Sequence, residues 1–273
     1  MNKYIQLFRA GNAVMGIVGV LVASFMAAGT DILSHWPDLL LSAVIVFTFI
    51  AGGNSLNDYI DADIDRISHP DRPIPSGTIG RGQARDVGLM MLALSVMASL
   101  LTFDTVCAVI VIVAVGLMIS YEMFLKQRGF IGNVVIAVMT GMLFLLGGAV
   151  VGDFQGNIVV ASMAMIVSIG REISKDIEDK DGDVGERFTL PMRIGDRNSA
   201  VIASVCFILG PVLSILPIVW GTYSVLYYAV LLADVVFLYC AFIVFSDPHR
   251  AQKLAKKAMI LGLLSFILGV IPI

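Results

Sequence analysis

Long apolar runs alternate with short polar loops, and this pattern limits the fold more than any other feature. Nine runs can be drawn, roughly 12–29, 39–57, 87–103, 105–122, 131–150, 157–174, 199–217, 223–245 and 257–271. A helix needs about 20 apolar residues to cross a bilayer, and a spanning segment must satisfy its own backbone. The pattern predicts an all-α, polytopic membrane protein with nine transmembrane helices in one domain, 1–273. Several runs are short, so strong tilts or merged pairs are the alternative. The third and fourth are divided only by Thr102 to Thr105. The composition agrees, at 58% hydrophobic and 14% charged, where a soluble domain carries about 25% charged residues. The run after Asn12 lacks a cleavage region and is read as a retained span.

The charges test the count. With nine spans, one side holds the N-terminus and the loops near 58–86, 123–130, 175–198 and 246–256. All 18 Lys and Arg fall on that side. The opposite loops carry only acids, such as Asp31, Asp38, Asp104 and Asp153. Basic loops stay in the cytoplasm. The expected arrangement is therefore an integral protein of the cell membrane, with its N-terminus and basic loops cytoplasmic. The net charge of −3 averages this segregation away. Cys107, Cys206 and Cys240 sit in apolar runs without a pairing pattern, and His35, His69 and His249 have no ligand spacing. No disulfide, zinc or haem site is expected. Nothing in the chain calls for nucleic acid or an obligate protein partner.

Two charged stretches interrupt this simplicity. The first, Asn54-Ser55-Leu56-Asn57-Asp58-Tyr59-Ile60-Asp61-Ala62-Asp63-Ile64-Asp65, follows the second apolar run directly. At about 100° per helical residue, Asn57, Asp61 and Asp65 fall near 0°, 40° and 80°, and Asn54 near 60°. Asp63 falls near 240° and points elsewhere. Two carboxylates and two amides thus share one face, and clustered carboxylates repel one another unless cations sit among them. Such oxygen ligands suit magnesium, which is held by one or two carboxylates plus substrate phosphates.

The second stretch, Arg171 to Asp183, follows the sixth run. Glu172, Asp176, Asp179 and Asp183 lie within an arc of about 60° on helical spacing, although Gly182 can end the helix before Asp183. Arg171 and Lys175 flank this face. Acids for metal beside bases for phosphate is the layout of a diphosphate site. A charge run at a helix end is more often a solvated loop. Two runs of this register on one side of the membrane favour a shared site.

Smaller features point the same way. Arg72 stands in His69-Pro70-Asp71-Arg72-Pro73-Ile74-Pro75, a stiffened loop, and reads either as a phosphate clamp or as an ordinary cytoplasmic arginine. Lys126 reads as a phosphate ligand or as a lysine snorkelling to the interface. Asn133 is a polar ligand or a cross-helix bond. The glycines from Gly141 to Gly152 fit close helix packing, or walls that admit a long apolar ligand. Asp234 is the one acid deep in an apolar run, a functional candidate by default.

Asn57-x-x-x-Asp61-x-x-x-Asp65 with Asp179-x-x-x-Asp183 on such a frame resembles the UbiA superfamily of intramembrane prenyltransferases, over essentially the whole chain. Gly53 to Tyr59, Asp71 to Gly77, the Tyr121 to Lys126 turn and Arg171 to Asp179 are similar to the archaeal branch that forms membrane ether lipids. Phe188 interrupts the family's usual Arg-Thr-Leu-Pro, which bears on the geometry of that loop. The resemblance implies helices around a central cavity with a cytoplasmic-side active site. It implies two Mg²⁺ ions between Asn57, Asp61 and Asp65 and Asp179 and Asp183, with Asp176 in support. The partners it implies are an isoprenoid diphosphate donor, geranylgeranyl diphosphate, and a lipid-like acceptor, geranylgeranylglyceryl phosphate. Arg72, Lys126 and Lys175 would bind phosphate, Asn54, Tyr121 and Asn133 would line the substrate site, and Arg9 and Asn12 would contact the acceptor. An aromatic acceptor such as 4-hydroxybenzoate would leave the donor side unchanged. A synthase acting on chlorophyll or haem, and a cation transporter, are the remoter alternatives.

Overall fold

The computed structural model describes residues 3–180 and 188–272. Every regular element among them is helical. In chain order the longer helices are α1 (Ala10–Ala28), α2 (Trp36–Ile60), α3 (Arg81–Leu100), α4 (Thr105–Ser120) and α5 (Phe130–Val150), then α6 (Ile158–Glu178), α7 (Asp196–Trp220), α8 (Val230–Ile243) and α9 (Pro248–Val270). Six helical stretches are long and apolar enough to cross a membrane. One of these, Ala10–Ile60, runs for 51 residues and contains both α1 and α2, broken at Gly29, whose φ is +61°. α3 and α9 are not among the six. Their N-terminal turns carry Arg81, Arg85 and Asp86 over the first two turns of α3, and Arg250, Lys253, Lys256 and Lys257 over the first three of α9, so charge extends each helix beyond its apolar run.

Local chemistry sets the ends. Pro37 and Asp38 open α2, where a missing N–H costs nothing and a carboxylate meets the positive end of the helix dipole. Asp104 caps α4 by accepting from the Cys107 N–H at 2.6 Å. This cap and Phe103, with φ +53°, divide α3 from α4 at the expected position. Hydroxyls inside the helices donate to a carbonyl four residues back, as Ser55 does to Ala51 and Ser174 to Gly170.

α1 to α5 enclose one apolar core, including Val20, Ile45, Cys107 and Leu146. α6 to α9 enclose a second, including Val167, Phe207, Phe237 and Ala255. α1 and α5 join the two halves. There Gly147 lies against α1 so closely that a Cβ would stand 2.4 Å from that of Ala23. The Ser24 hydroxyl donates across the contact to the Gly147 carbonyl at 2.9 Å. Gly141 likewise meets the Ala161 carbonyl on α6. These α5 glycines therefore serve helix packing. Cys107, Cys206 and Cys240 are buried and unpaired. Large apolar side chains such as Leu40, Val113, Leu232 and Phe242 face outward, as contact with lipid requires.

Candidate active site

The first charged stretch is not one unbroken helix. α2 ends at Ile60, Asp61 takes φ −80° and ψ 4°, and a short helix, Ala62–Ser68, follows. The bonds Asp61 N–H to Asn57 carbonyl and Asp65 N–H to Asp61 carbonyl bridge the bend. Around it the side chains form a relay of alternating charge. Lys126 Nζ donates to Asp61 Oδ2 at 2.5 Å. Asn57 Nδ2 donates to the same oxygen and to Glu122 Oε2, both at 3.1 Å. Arg9 Nη2 donates to Asn57 Oδ1 at 2.9 Å and to Asp58 Oδ1 at 2.6 Å. Arg72 lies 3.9 Å from Asp58 and donates from Nη1 to both Asp65 oxygens, at 2.7 and 2.6 Å. The Asp58, Asp65 and Glu122 side chains are only 3%, 4% and 6% exposed. Buried carboxylates need such partners.

The surrounding elements aim these groups. Leu7 is fully buried against Ile79 and Ala84 and anchors the N-terminal segment. The amide of Asn54 donates to the Phe8 carbonyl at 2.9 Å, so Asn54 holds this segment to α2. Arg9 then adopts φ +48°, which turns its guanidinium toward Asn57. The proline loop folds back through Ser76 N–H to the Arg72 carbonyl and Ile79 N–H to the Pro73 carbonyl, which presents Arg72 to Asp65. After α4 the chain widens into a π-turn, Tyr121–Leu125. Glu122 and Lys126 sit one turn apart there, on the side facing α2. Gly132 has no Cβ, which would meet the Leu125 carbonyl at 2.9 Å. Gly129 has φ +58°, and a Cβ there would fall 2.2 Å from the Phe188 carbonyl. Phe188 thus packs its backbone against this turn, while Arg193 lies over its ring at 5.1 Å.

In the second stretch, Asp176 is buried and accepts from Asn133 Nδ2 at 2.6 Å. Glu172 pairs with Arg171. Lys175 is exposed, and Asp179 is exposed at the cap of α6. Asp183 and Arg187 lie outside the described residues. Asn133 is in the first turn of α5 and Lys126 is in the turn leading into it. Both stretches are thereby tied to the same end of α5. Asn12 is exposed in the first turn of α1. Asp63 pairs with Arg81 at 2.9 Å, away from the relay, as its angle predicted. Asp58 and Glu122 are members of the relay that helical spacing alone did not single out. Asp58 lies seven residues, about two turns, before Asp65 and could have been placed from that spacing. Glu122 depends on the π-turn, which the sequence does not announce.

Two cavities lie below this end of the bundle. One, of about 290 Å³, is lined by Ile45, Phe49 and Ile50 of α2, Met118 of α4 and Leu143 of α5. Asn57 is seven residues beyond Ile50, about 10 Å up the same face. Glu122 is one turn beyond Met118. The relay therefore stands over an apolar chamber. The other cavity, of about 440 Å³, lies among α1, α5, α6, α8 and α9.

A model of the UbiA prenyltransferase family matches residues 17–270. The chain belongs to the UbiA prenyltransferase family. A relative named digeranylgeranylglyceryl phosphate synthase, from Methanothermobacter thermautotrophicus, is 36% identical over 98% of this chain and 96% of its own length. One of the same name from Methanosphaera stadtmanae is 33% identical over 98% and 99%. A solved structure concerned with digeranylgeranylglyceryl phosphate synthase in membranes superposes with a TM-score of 0.89 at 29% identity, covering 98% of this chain and 97% of that one. A UbiA homologue from Archaeoglobus fulgidus, bound to DMAPP and Mg²⁺, shares the fold at 13% identity and TM-score 0.66, covering 97% and 99%. The protein is thus a membrane-embedded prenyltransferase.

Does this UbiA site suit a divalent ion? Among the described residues no three His, Cys, Asp or Glu form a metal cage, and the relay carboxylates are held by Lys126, Arg72 and Arg9. Every candidate ligand, however, is a carboxylate or amide oxygen. Magnesium takes one or two carboxylates and completes its shell with water and phosphate. The donor set fits an ion that arrives with a diphosphate.

Proposed function

We propose that this protein transfers a geranylgeranyl group from geranylgeranyl diphosphate to the sn-2 hydroxyl of geranylgeranylglyceryl phosphate, with Mg²⁺ as cofactor. The observation that carries this reading is the charge relay standing over an apolar chamber, in a chain whose full-length relatives carry the matching name. The chain crosses the membrane nine times as one domain, 1–273, with its N-terminus and the relay on the cytoplasmic side. The segregation of all 18 basic residues supports that orientation.

The two charged stretches form one site. Asn57, Asp61 and Asp65, with Asp176, Asp179 and Asp183, would hold two magnesium ions. The metal, when bound, neutralises the diphosphate and favours its departure. Arg72, Lys126 and Lys175 would bind the remaining phosphate oxygens, Arg72 and Lys126 in exchange for Asp65 and Asp61. Asn54 and Arg9 keep the N-terminal segment on the site, and Tyr121 and Asn133 border it. The prenyl tail lies in the chamber lined by Phe49, Ile50 and Met118, whose apolar walls keep water from the allylic carbon. The C1–O bond breaks with its electron pair leaving on the diphosphate. The sn-2 oxygen then bonds to C1, and its proton is released. Asn12 stands on the acceptor side.

The test is purified protein in detergent with labelled geranylgeranyl diphosphate and geranylgeranylglyceryl phosphate. A labelled phosphorylated diether should form, vanish with EDTA and return with Mg²⁺. Absence of that product, or its persistence in EDTA, contradicts the proposal.

A further inference from the structure

The larger cavity is built unlike the chamber under the relay. On α6 its wall is Val160, Met163, Ala164, Val167, Ser168 and Arg171. These are spaced three and four residues apart and form one stripe about 16 Å long. On α9 the wall runs from Lys256 through Met259, Ile260 and Leu263 to Phe266, about 15 Å. Both stripes are apolar over their length and end in a cation. Both cations stand at the end of the bundle that carries the relay, since Arg171 approaches the C-terminus of α6 and Lys256 lies in the third turn of α9. Arg171 pairs with Glu172 through one nitrogen, and a guanidinium has four further N–H donors. Lys256 is exposed and has no ion pair or side-chain hydrogen bond among the described residues. Thr140 of α5, which lines both cavities, spends its hydroxyl on the Ile136 carbonyl at 2.9 Å. It therefore presents no free donor to either cavity.

A groove that is apolar for about 15 Å and cationic at one end matches a long-chain lipid with an anionic head. We infer that this cavity holds the acceptor, with its prenyl chain along α6 and α9 and its phosphate between Arg171 and Lys256. This rests on the acceptor reading above. The chambers share Thr140 and Leu143 of α5, so the donor tail and the acceptor tail would lie on either side of that helix. Their heads would converge at the end where Asn133 meets Asp176. Two prenyl chains need two walls, and a single chamber would force them to compete.

The experiment compares wild type with Arg171→Gln and Lys256→Gln. Binding of geranylgeranylglyceryl phosphate is measured on metal-free, donor-free protein in detergent, and KM is measured for each substrate. Each variant should weaken acceptor binding about tenfold, the order of one charge-assisted hydrogen bond, and raise the acceptor KM alike. The donor KM of Lys256→Gln should stay within about twofold, and Arg171→Lys should recover part of the loss seen with Arg171→Gln. Geranylgeranylglycerol, which lacks the phosphate, should bind wild type and variants equally. Unchanged acceptor binding overturns the assignment. So does equal weakening for the phosphate-free lipid, or displacement of the acceptor by a bulk dialkyl phospholipid at equal concentration. The thermal midpoint of each variant in detergent reports folding, and Lys256→Met replaces a glutamine variant that fails it. A wild type that makes no diether overturns the function itself, whereas a wild type that makes it while the variants are indifferent overturns only the cavity assignment.

Discussion

Asp61 is the carboxylate on which most of the site converges, receiving Lys126 and Asn57 on one oxygen. Asp61→Asn keeps the shape and removes the charge. Turnover should fall at least about a hundredfold, as when a charge aimed at the transition state is lost, while thermal stability in detergent stays near wild type. Near-normal turnover would remove the first stretch from the chemistry. Lys126→Ala should instead raise the donor KM, by about tenfold to a hundredfold for one charge-assisted bond to phosphate. Unchanged kinetics would return Lys126 to an interfacial lysine. Helical spacing placed Asn57 beside Asp61 because the chain keeps its i to i−4 bonds to that point. The bend at Asp61 keeps this pattern through the Asp65 N–H to Asp61 carbonyl bond, and Asp65 meets Arg72, which spacing along one helix does not reveal. Arg9 was legible as a candidate, but its tie to Asn57 and Asp58 was not, since it depends on a left-handed backbone far away in sequence.

The π-turn and the Gly129 turn are the elements that bring α4, α5 and the 188–189 segment together. Gly129→Ala places a Cβ against the Phe188 carbonyl in a backbone region reserved for glycine. The cost should be on the order of 1–3 kcal/mol, read as a lower thermal midpoint, with a higher donor KM as Lys126 shifts. An unaltered midpoint would mean that the turn relaxes freely. The apolar runs located the helix centres well, because hydropathy is a property of the run itself. Ends were less legible where charge continues a helix, as at Arg81 and Pro248, and where the start of the eighth run folds as the 3₁₀ turn Val225–Ala229. The glycines of α5 left two readings open in sequence, and only the neighbouring backbone decides for packing.

At the scale of the whole molecule, orientation and chemistry depend on each other, for the site must face the compartment that supplies its diphosphate donor. In a chain without its three native cysteines, Asp31→Cys should react with a membrane-impermeant thiol reagent on intact cells, and Lys253→Cys only after the cells are opened. The reverse pattern would invert the topology. The charge segregation that predicts this is visible in the sequence alone. The convergence of two cavities on α5 is not, because it follows from which helices pack. The account rests finally on what the site attaches the prenyl group to. Purified protein with Mg²⁺ and labelled geranylgeranyl diphosphate would be offered geranylgeranylglyceryl phosphate and 4-hydroxybenzoate at equal concentration in one reaction. The account predicts label almost wholly in the phosphorylated diether. Label in the aromatic product instead would keep the relay and the donor chamber but contradict the acceptor, and with it the role of Arg171 and Lys256.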